Sequence, residues 1–292
     1  MIYAAAIVAK HRPDWAREYY DLILLYVRDI ANPSAYDNYF PMYRQKDWYL
    51  GNSWAAGLMS MELSPHGREQ ESSSEAIAAF EGIALFGNAM IDAFQGDKEN
   101  LKSARLVRNL GEFLTAMEVD AASRFYHVYG INDNDEKVTK LLSASNEKVQ
   151  HINTYPSSYE RPVVGMMHET MASFQTWFSN EDVVSYGIQL MPLTAVAERR
   201  DDPEWANLIY PIYDESCKSA DEQSEGFCTD NGWSIIQSGL LAETGEIDKA
   251  LDMASEIDEN IYLSDGACGN SLTNTLWFIS TRKASLIVGE GQ

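Results

Sequence analysis

The 292-residue chain is 45% hydrophobic and 11% aromatic, and 44 acidic against 22 basic residues leave it a net charge of −22. That composition supports a large buried core, in one big domain or two smaller ones, and excludes wholesale disorder. A strongly acidic surface repels nucleic acid phosphates and anionic lipid, so both are set aside as partners, while a neutral ligand is not disfavoured.

In chain order, residues 1–9 are apolar and are followed by Lys10, His11 and Arg12. No basic leader precedes them, so they are not a secretory signal; they read as the end of a helix whose beginning lies upstream. No stretch approaches the ~20 apolar residues of a membrane span. Ala76, Phe80, Ile83, Gly87, Met90 and Phe94 recur at 3-4 spacing and predict an amphipathic helix that stops at Gly96 and Asp97. Leu101, Ala104, Val107, Leu110, Leu114 and Met117 start a second helix, with Ala121, Ala122 and Phe125 as its extension. Residues 129–162 hold Gly130, an Asn/Asp cluster at 132–135 and Pro156, and within them 139–149 read equally as extended or helical. The apolar run 163–167 suits a strand. Further helices are expected over 180–199, 203–218 (with Pro203 in the first turn), 232–243, 246–256 and 272–284. Ten to twelve helices joined by short loops suit a mainly α toroid of helical hairpins better than a bundle.

Cys217, Cys228 and Cys268 are an odd, widely spaced set that makes neither a disulfide framework nor a zinc motif. Buried free thiols are the favoured reading, and a single Cys217–Cys228 bridge is the alternative. His168-Glu169 opens like a zinc-protease motif, but Ala172 stands where the second histidine belongs. Asp133-Asn134-Asp135 opens like a calcium loop, but Lys137 and a missing glycine end that reading. No metal or cofactor is expected. His11, His66, His127 and His151 are scattered and read as structural or exposed, although His127 beside Tyr126 could line a pocket.

Two stretches carry the candidate chemistry. Residues 45–58 interleave Trp48, Tyr49 and Trp54 with Asp47, Asn52, Ser53, Gly51 and Gly57. Flat apolar faces beside hydroxyl-binding groups are what a sugar site needs, and a turn whose tryptophans anchor a core is the competing explanation. In Arg68-Glu69-Gln70-Glu71-Ser72-Ser73-Ser74-Glu75-Ala76, Ser72 and Glu75 have the spacing of a capping box. Glu71 and Glu75 would then lie together at a helix start, where a carboxylate is stabilised as the anion and suits a general base.

These strings together resemble glycoside hydrolase family 81, the endo-1,3-β-glucanases. The resemblance rests on Asp47-Trp48-Tyr49 with residues 51–58, and on Gln70-Glu71-Ser72-Ser73-Ser74-Glu75-Ala76. It extends to Arg28-Asp29-Ile30-Ala31-Asn32-Pro33, Tyr39-Phe40-Pro41, Val163-Val164-Gly165, Thr176-Trp177-Phe178, residues 187–192 and Thr273-Asn274-Thr275-Leu276. It implies an (α/α)6 toroid with a few short strands in its loops, over residues 1–292. It also implies an upstream β-sandwich domain and an inverting hydrolysis of internal 1,3-β-glucosidic bonds. On that footing Glu71 is the base, Glu75 is its active-site partner, and Asp47, Trp48, Asn52, Trp54, Gln70, His127 and Trp177 are the candidate sugar contacts at one mouth of the toroid. The partner is then a 1,3-β-glucan, and the intact protein is expected outside the cell or at the wall, with no signal in this chain. The family's acid, an aspartate in a His/Tyr-rich segment, falls before Met1, so activity is expected to be impaired. Asn52 stands where the family usually has histidine, and residues 168–174 also depart from its pattern. The alternatives are a non-catalytic glucan-binding remnant and another inverting α/α-toroid glycosidase.

Overall fold

The computed structural model describes residues 1–55, 65–129, 154–156, 158–218, 228, 232–264 and 266–289. Ala56, Gly57, Leu58, Gly130, His151, the Asn/Asp cluster at 132–135 and the ambiguous 139–149 segment lie outside them. The described residues are mostly helical, and the chain divides into two compact units.

Unit 1 comprises Met1–Met59 and Glu75–Ala121. Helix α1 (Ile2–His11) is separated from α2 (Pro13–Ala31) by Arg12 alone. Pro13 enters at the first turn of α2, where its missing N–H costs nothing. This second helix was not anticipated, although Tyr20, Val27 and Ala31 are its buried stripe. Helix α3 (Ser73–Ala93) starts on two residues of unit 2 and continues through unit 1, and α4 (Lys98–Phe125) follows it. Gly96, at φ 94°, makes the intervening turn, as the sequence indicated.

Helices α3 and α4 run antiparallel. A Cβ on Gly87 would come within 2.3 Å of the Arg108 nitrogen, and one on Gly111 within 2.2 Å of the Ala84 nitrogen, so the contact runs backward along one helix as it runs forward along the other. Glycine permits the two backbones to touch there. Ala5, Ala9, Tyr20, Phe80, Ile83, Phe86, Met90 and Leu114 close the core, and the Tyr20 hydroxyl meets Ser103 Oγ at 2.8 Å.

The expectation that no stretch approaches membrane-span length needs correcting. Helix α3 has 21 residues and a hydropathy of 1.4, long and apolar enough by length and composition to cross a bilayer. Its Ile77, Phe80, Ile83, Phe86 and Met90 are buried, and core helices of soluble proteins meet the same criterion.

Unit 2 comprises Ser60–Ser74 and Ala122–Gln292. Its sheet is antiparallel, in the order β1 (Glu69–Gln70), β2 (Met166–His168), β3 (Ala172–Ser173). Glu69 pairs with His168, and Met166 with Ser173. The strand expected over 163–167 therefore lies later, and Val163 makes only an isolated bridge with His127. The helix expected over 180–199 is broken into α5 (Asp182–Gly187) and α6 (Ala197–Arg200). Pro192 is the physical reason, because it lacks an N–H and disfavours helical backbone at Met191.

Beyond it, α7 (Pro203–Lys218) matches its expected bounds, and α8 (Trp233–Glu243) and α9 (Ile247–Glu256) nearly do. A short α10 (Glu259–Tyr262) precedes α11 (Leu272–Gly289). Trp205, Ile209, Tyr213, Ile235, Ile236, Leu240, Phe278 and Ile279 fill the core between these helices. Cys217 and Cys228 form a disulfide, so the alternative reading of the cysteines holds and the free-thiol reading does not. Two buried ion pairs, Arg200–Asp201 and Arg282–Glu243, lie within this unit.

Candidate active site

In unit 2 the chain passes from β1 through Glu71 into the first turn of α3, and three serines pin that turn. Ser72 Oγ donates to Ile188 O at 2.7 Å, and Ser74 Oγ to the same carbonyl at 2.8 Å. Ser73 donates through both N–H (3.1 Å) and Oγ (2.8 Å) to Gln189 Oε1. The Gln189 amide in turn donates to Glu71 O at 2.7 Å and to Gly165 O at 3.1 Å. Gln189 is fully buried, so each of these bonds lies in a water-poor setting where an unmade bond would cost about 1–3 kcal/mol. The Tyr126 hydroxyl donates to Gln70 O at 3.2 Å. These contacts fix the backbone on which Glu71 stands.

The Glu71 side chain is half-buried, and its Oε1 accepts from the Trp177 N–H at 2.6 Å. Trp177 sits in a turn closed by the Thr176 and Ser179 backbones, and the residue is 48% exposed. A carboxylate thus meets the main chain of an exposed aromatic residue. Gln70 is buried, and Glu75 is exposed in the first turn of α3. His127 is buried and stacks on Trp205 at 3.7 Å between centroids, so its ring belongs to the core.

Unit 1 holds the other candidates in the loop before residue 55. Its foundation is Lys46, whose ammonium donates to Glu118 Oε1 at 2.8 Å and to Gly51 O. Asp47 organises the turn: Oδ1 accepts from the Tyr49 and Leu50 N–H groups, and Oδ2 from the Trp54 indole at 3.3 Å. Its carboxylate is therefore engaged within the loop. Asn52 and Trp54 are each 1% exposed, so Trp54 anchors the core. Trp48 is different. It is 49% exposed, edge-on to Tyr43 at 4.7 Å and stacked with Phe113 at 6.4 Å.

Glu69, His168 and Gln189 were not among the sequence candidates. Gln189 lies within the 187–192 string of the family resemblance. Glu69 lies in β1, two residues before Glu71 in the same string, which was the available signal for it.

The model of the glycosyl hydrolase family 81 C-terminal domain matches residues 1–278. The chain belongs to glycoside hydrolase family 81. Among its family 81 relatives, a primary septum glucan endo-1,3-beta-D-glucosidase of Schizosaccharomyces pombe is 26% identical, over 91% of this chain and 22% of that protein. A glucan endo-1,3-beta-D-glucosidase of Glycine max is 28% identical, over 96% of this chain and 36% of that protein. The chain thus spans well under half of these curated relatives. A solved family 81 structure from Clostridium thermocellum shares the fold with a TM-score of 0.68 over 96% of this chain and 32% of that one, at 24% identity.

Proposed function

We propose that this family 81 chain takes part in the hydrolysis of internal 1,3-β-glucosidic bonds by an inverting mechanism, with Glu71 as the base that activates water. The observation that carries the reading is the Glu71 carboxylate, held at 2.6 Å by the Trp177 main-chain amide beside that residue's exposed indole. A carboxylate that accepts from a backbone donor just before a helix N-terminus is favoured as the anion, the form a general base needs. The exposed ring gives the C–H face of a glucose unit a surface to stack on. In unit 1, Trp48 offers a second exposed ring, while Asp47, Asn52 and Trp54 serve by shaping the loop that presents it. Glu75 is proposed as the second carboxylate of the family string, on the first turn of α3, and Gln70 and His127 as supports. The (α/α)6 arrangement is proposed on family membership. The names of the relatives point to a 1,3-β-glucan as substrate.

The test is reducing-sugar release from laminarin, by the 292 residues alone and joined to the upstream region of the Glycine max relative. The joined form is expected to be the faster. In it Glu71→Gln, which keeps the shape but cannot accept a proton, should lower the rate by about 10²–10⁴ with laminarin binding retained. Near-normal release by that variant would remove Glu71 as the base.

A further inference from the structure

Helix α7 carries a proline in its interior. Pro211 has no N–H, so the Asn207 carbonyl loses its donor four residues on. The proline is exposed, and core packing does not account for it. Proteins break such local rules at functional or strained positions. Asn207, Pro211 and Glu215 follow i, i+4 spacing and are all exposed, so they form the outer ridge of α7.

A cleft lies on each side of that ridge, and Pro211 lines both. The first, of about 460 Å³, lies between α7 and the start of α5. Exposed Asn180, Glu181 and Glu215 supply its polar lining, and Ile212 part of its apolar lining. The second, of about 410 Å³, lies between α7 and the turn from α8 into α9. Tyr210, Leu241 and Met253 line it beside Asn207, Thr244 and Glu246. Each cleft has the size of a small-ligand pocket. A ring and aliphatic side chains bordered by amide, hydroxyl and carboxylate groups suit a sugar unit, with its C–H face and its hydroxyls.

The charges narrow the ligand. The net charge of −22 disfavours an anionic one. A cationic one would meet Lys249 in the second cleft and, beside the first, Arg161, which pairs with Asp182 at 3.1 Å. Among the described residues no group of three His, Cys, Asp or Glu side chains is placed to hold a metal ion, so the acids of the first cleft do not make a cation site. Asn207 and Thr244 donate within the chain, to Pro203 O and Leu241 O, and their oxygens remain acceptors. A neutral ligand rich in hydroxyl donors fits this lining.

The first cleft also adjoins the candidate active site within unit 2. Asn180 follows Trp177 by three residues, which holds the two within about 11 Å. The Glu181 N–H donates to Ser179 Oγ, in the same turn whose Trp177 N–H holds Glu71. Between them in the chain stands Phe178, 64% exposed.

We propose that the paired clefts of α7 are a distal binding site for a glucan chain that also reaches Trp177, with sugar units seated on both sides of Pro211. The inference rests on the reading of this chain as a glucan-binding protein and is independent of Glu71 being the base. Its consequence is a preference for long chains over short oligosaccharides.

The experiment is calorimetric titration of the 292-residue protein with laminarin and with laminaritriose. Laminarin should bind more tightly. Pro211→Arg sets a long side chain on the ridge, improves helix propensity, and should weaken laminarin binding by about three- to tenfold while narrowing its advantage over laminaritriose. Tyr210→Ala should weaken laminarin binding to a similar degree. Pro211→Ala, which improves the helix but leaves both clefts open, should bind laminarin as the parent does. Absence of laminarin binding in the parent, parental binding in Pro211→Arg, or an equal loss in Pro211→Ala overturns the proposal.

Hydrolysis by the joined form separates the two readings. Near-normal release by Glu71→Gln, together with weakened laminarin binding in Pro211→Arg alone of the two Pro211 variants, would refute the base and leave the distal site standing. An inactive Glu71→Gln with parental laminarin binding in Pro211→Arg would do the reverse.

Discussion

The Lys46–Glu118 ion pair is the most exacting place to perturb the loop that carries Trp48. Both side chains are 1% exposed, so each charge has been taken out of water. Burial lowers the Lys46 ammonium and raises the Glu118 carboxyl, in each case as the largest influence, ahead of the attraction between them. Both groups are thus pushed toward neutrality, the mark of a pair whose desolvation is only partly offset by Coulomb attraction. Glu118→Gln leaves a buried ammonium with the Gly51 carbonyl as a partner and should cost about 3–5 kcal/mol; Lys46→Met leaves the carboxylate and should cost a similar amount. The double replacement Lys46→Met, Glu118→Leu removes both charges beside the Phe80 ring and should fall within about 1 kcal/mol of the parent or exceed its stability. Urea unfolding followed by circular dichroism, run as a double-mutant cycle, reads the coupling directly. Single substitutions costing under ~1 kcal/mol, or a double variant as unstable as the two losses combined, would refute the reasoning.

Gly87→Ala improves helix propensity by about 1 kcal/mol but sets a methyl 2.3 Å from the Arg108 nitrogen, which is main chain and cannot swing aside. A net loss of about 1–3 kcal/mol is expected, and a raised melting temperature would contradict the helix contact. Glu243 is pushed up to about 8 by burial first and by Asp201 next, against the pull of Arg282 and Arg200. With the folded value above the unfolded one, its contribution is fully present below the unfolded carboxylate range and is lost as pH rises through about 8. Glu243→Gln should flatten the stability–pH curve between pH ~4.5 and ~8, and a slope identical to the parent's would count against it.

Much of the helical layout could be read from periodicity, because the elements that bury a stripe on one side also repeat at 3-4 spacing. Helix α7 is the clearest case: Pro203 marks its start, and Trp205, Ile209 and Tyr213 its buried face. The break at Pro192 was legible in principle, but the apolar run through residues 183–190 overrode it, since burial on all sides resembles a helix face. Helix α2 was hidden by an exposed side that also carries Tyr19, Leu22, Leu25 and Tyr26. The cysteines could not be paired from spacing, because a bridge depends on how the α7 terminus meets Cys228 in space. Glu71 stood out as a candidate from its string, whereas the contacts that hold it come from Trp177 and Gln189, each more than a hundred residues away. Trp48 and Trp54 look alike in sequence, and only packing separates an exposed ring from a core anchor.

The donor that grips the Glu71 carboxylate belongs to the main chain at position 177 and not to a side chain. Nearly any residue there supplies the same N–H, so the grip is indifferent to what the position displays. An exchange of the ring at 177 therefore leaves the donor to Glu71 in place, and what it alters is the contact with the His168 ring and the surface that the position exposes.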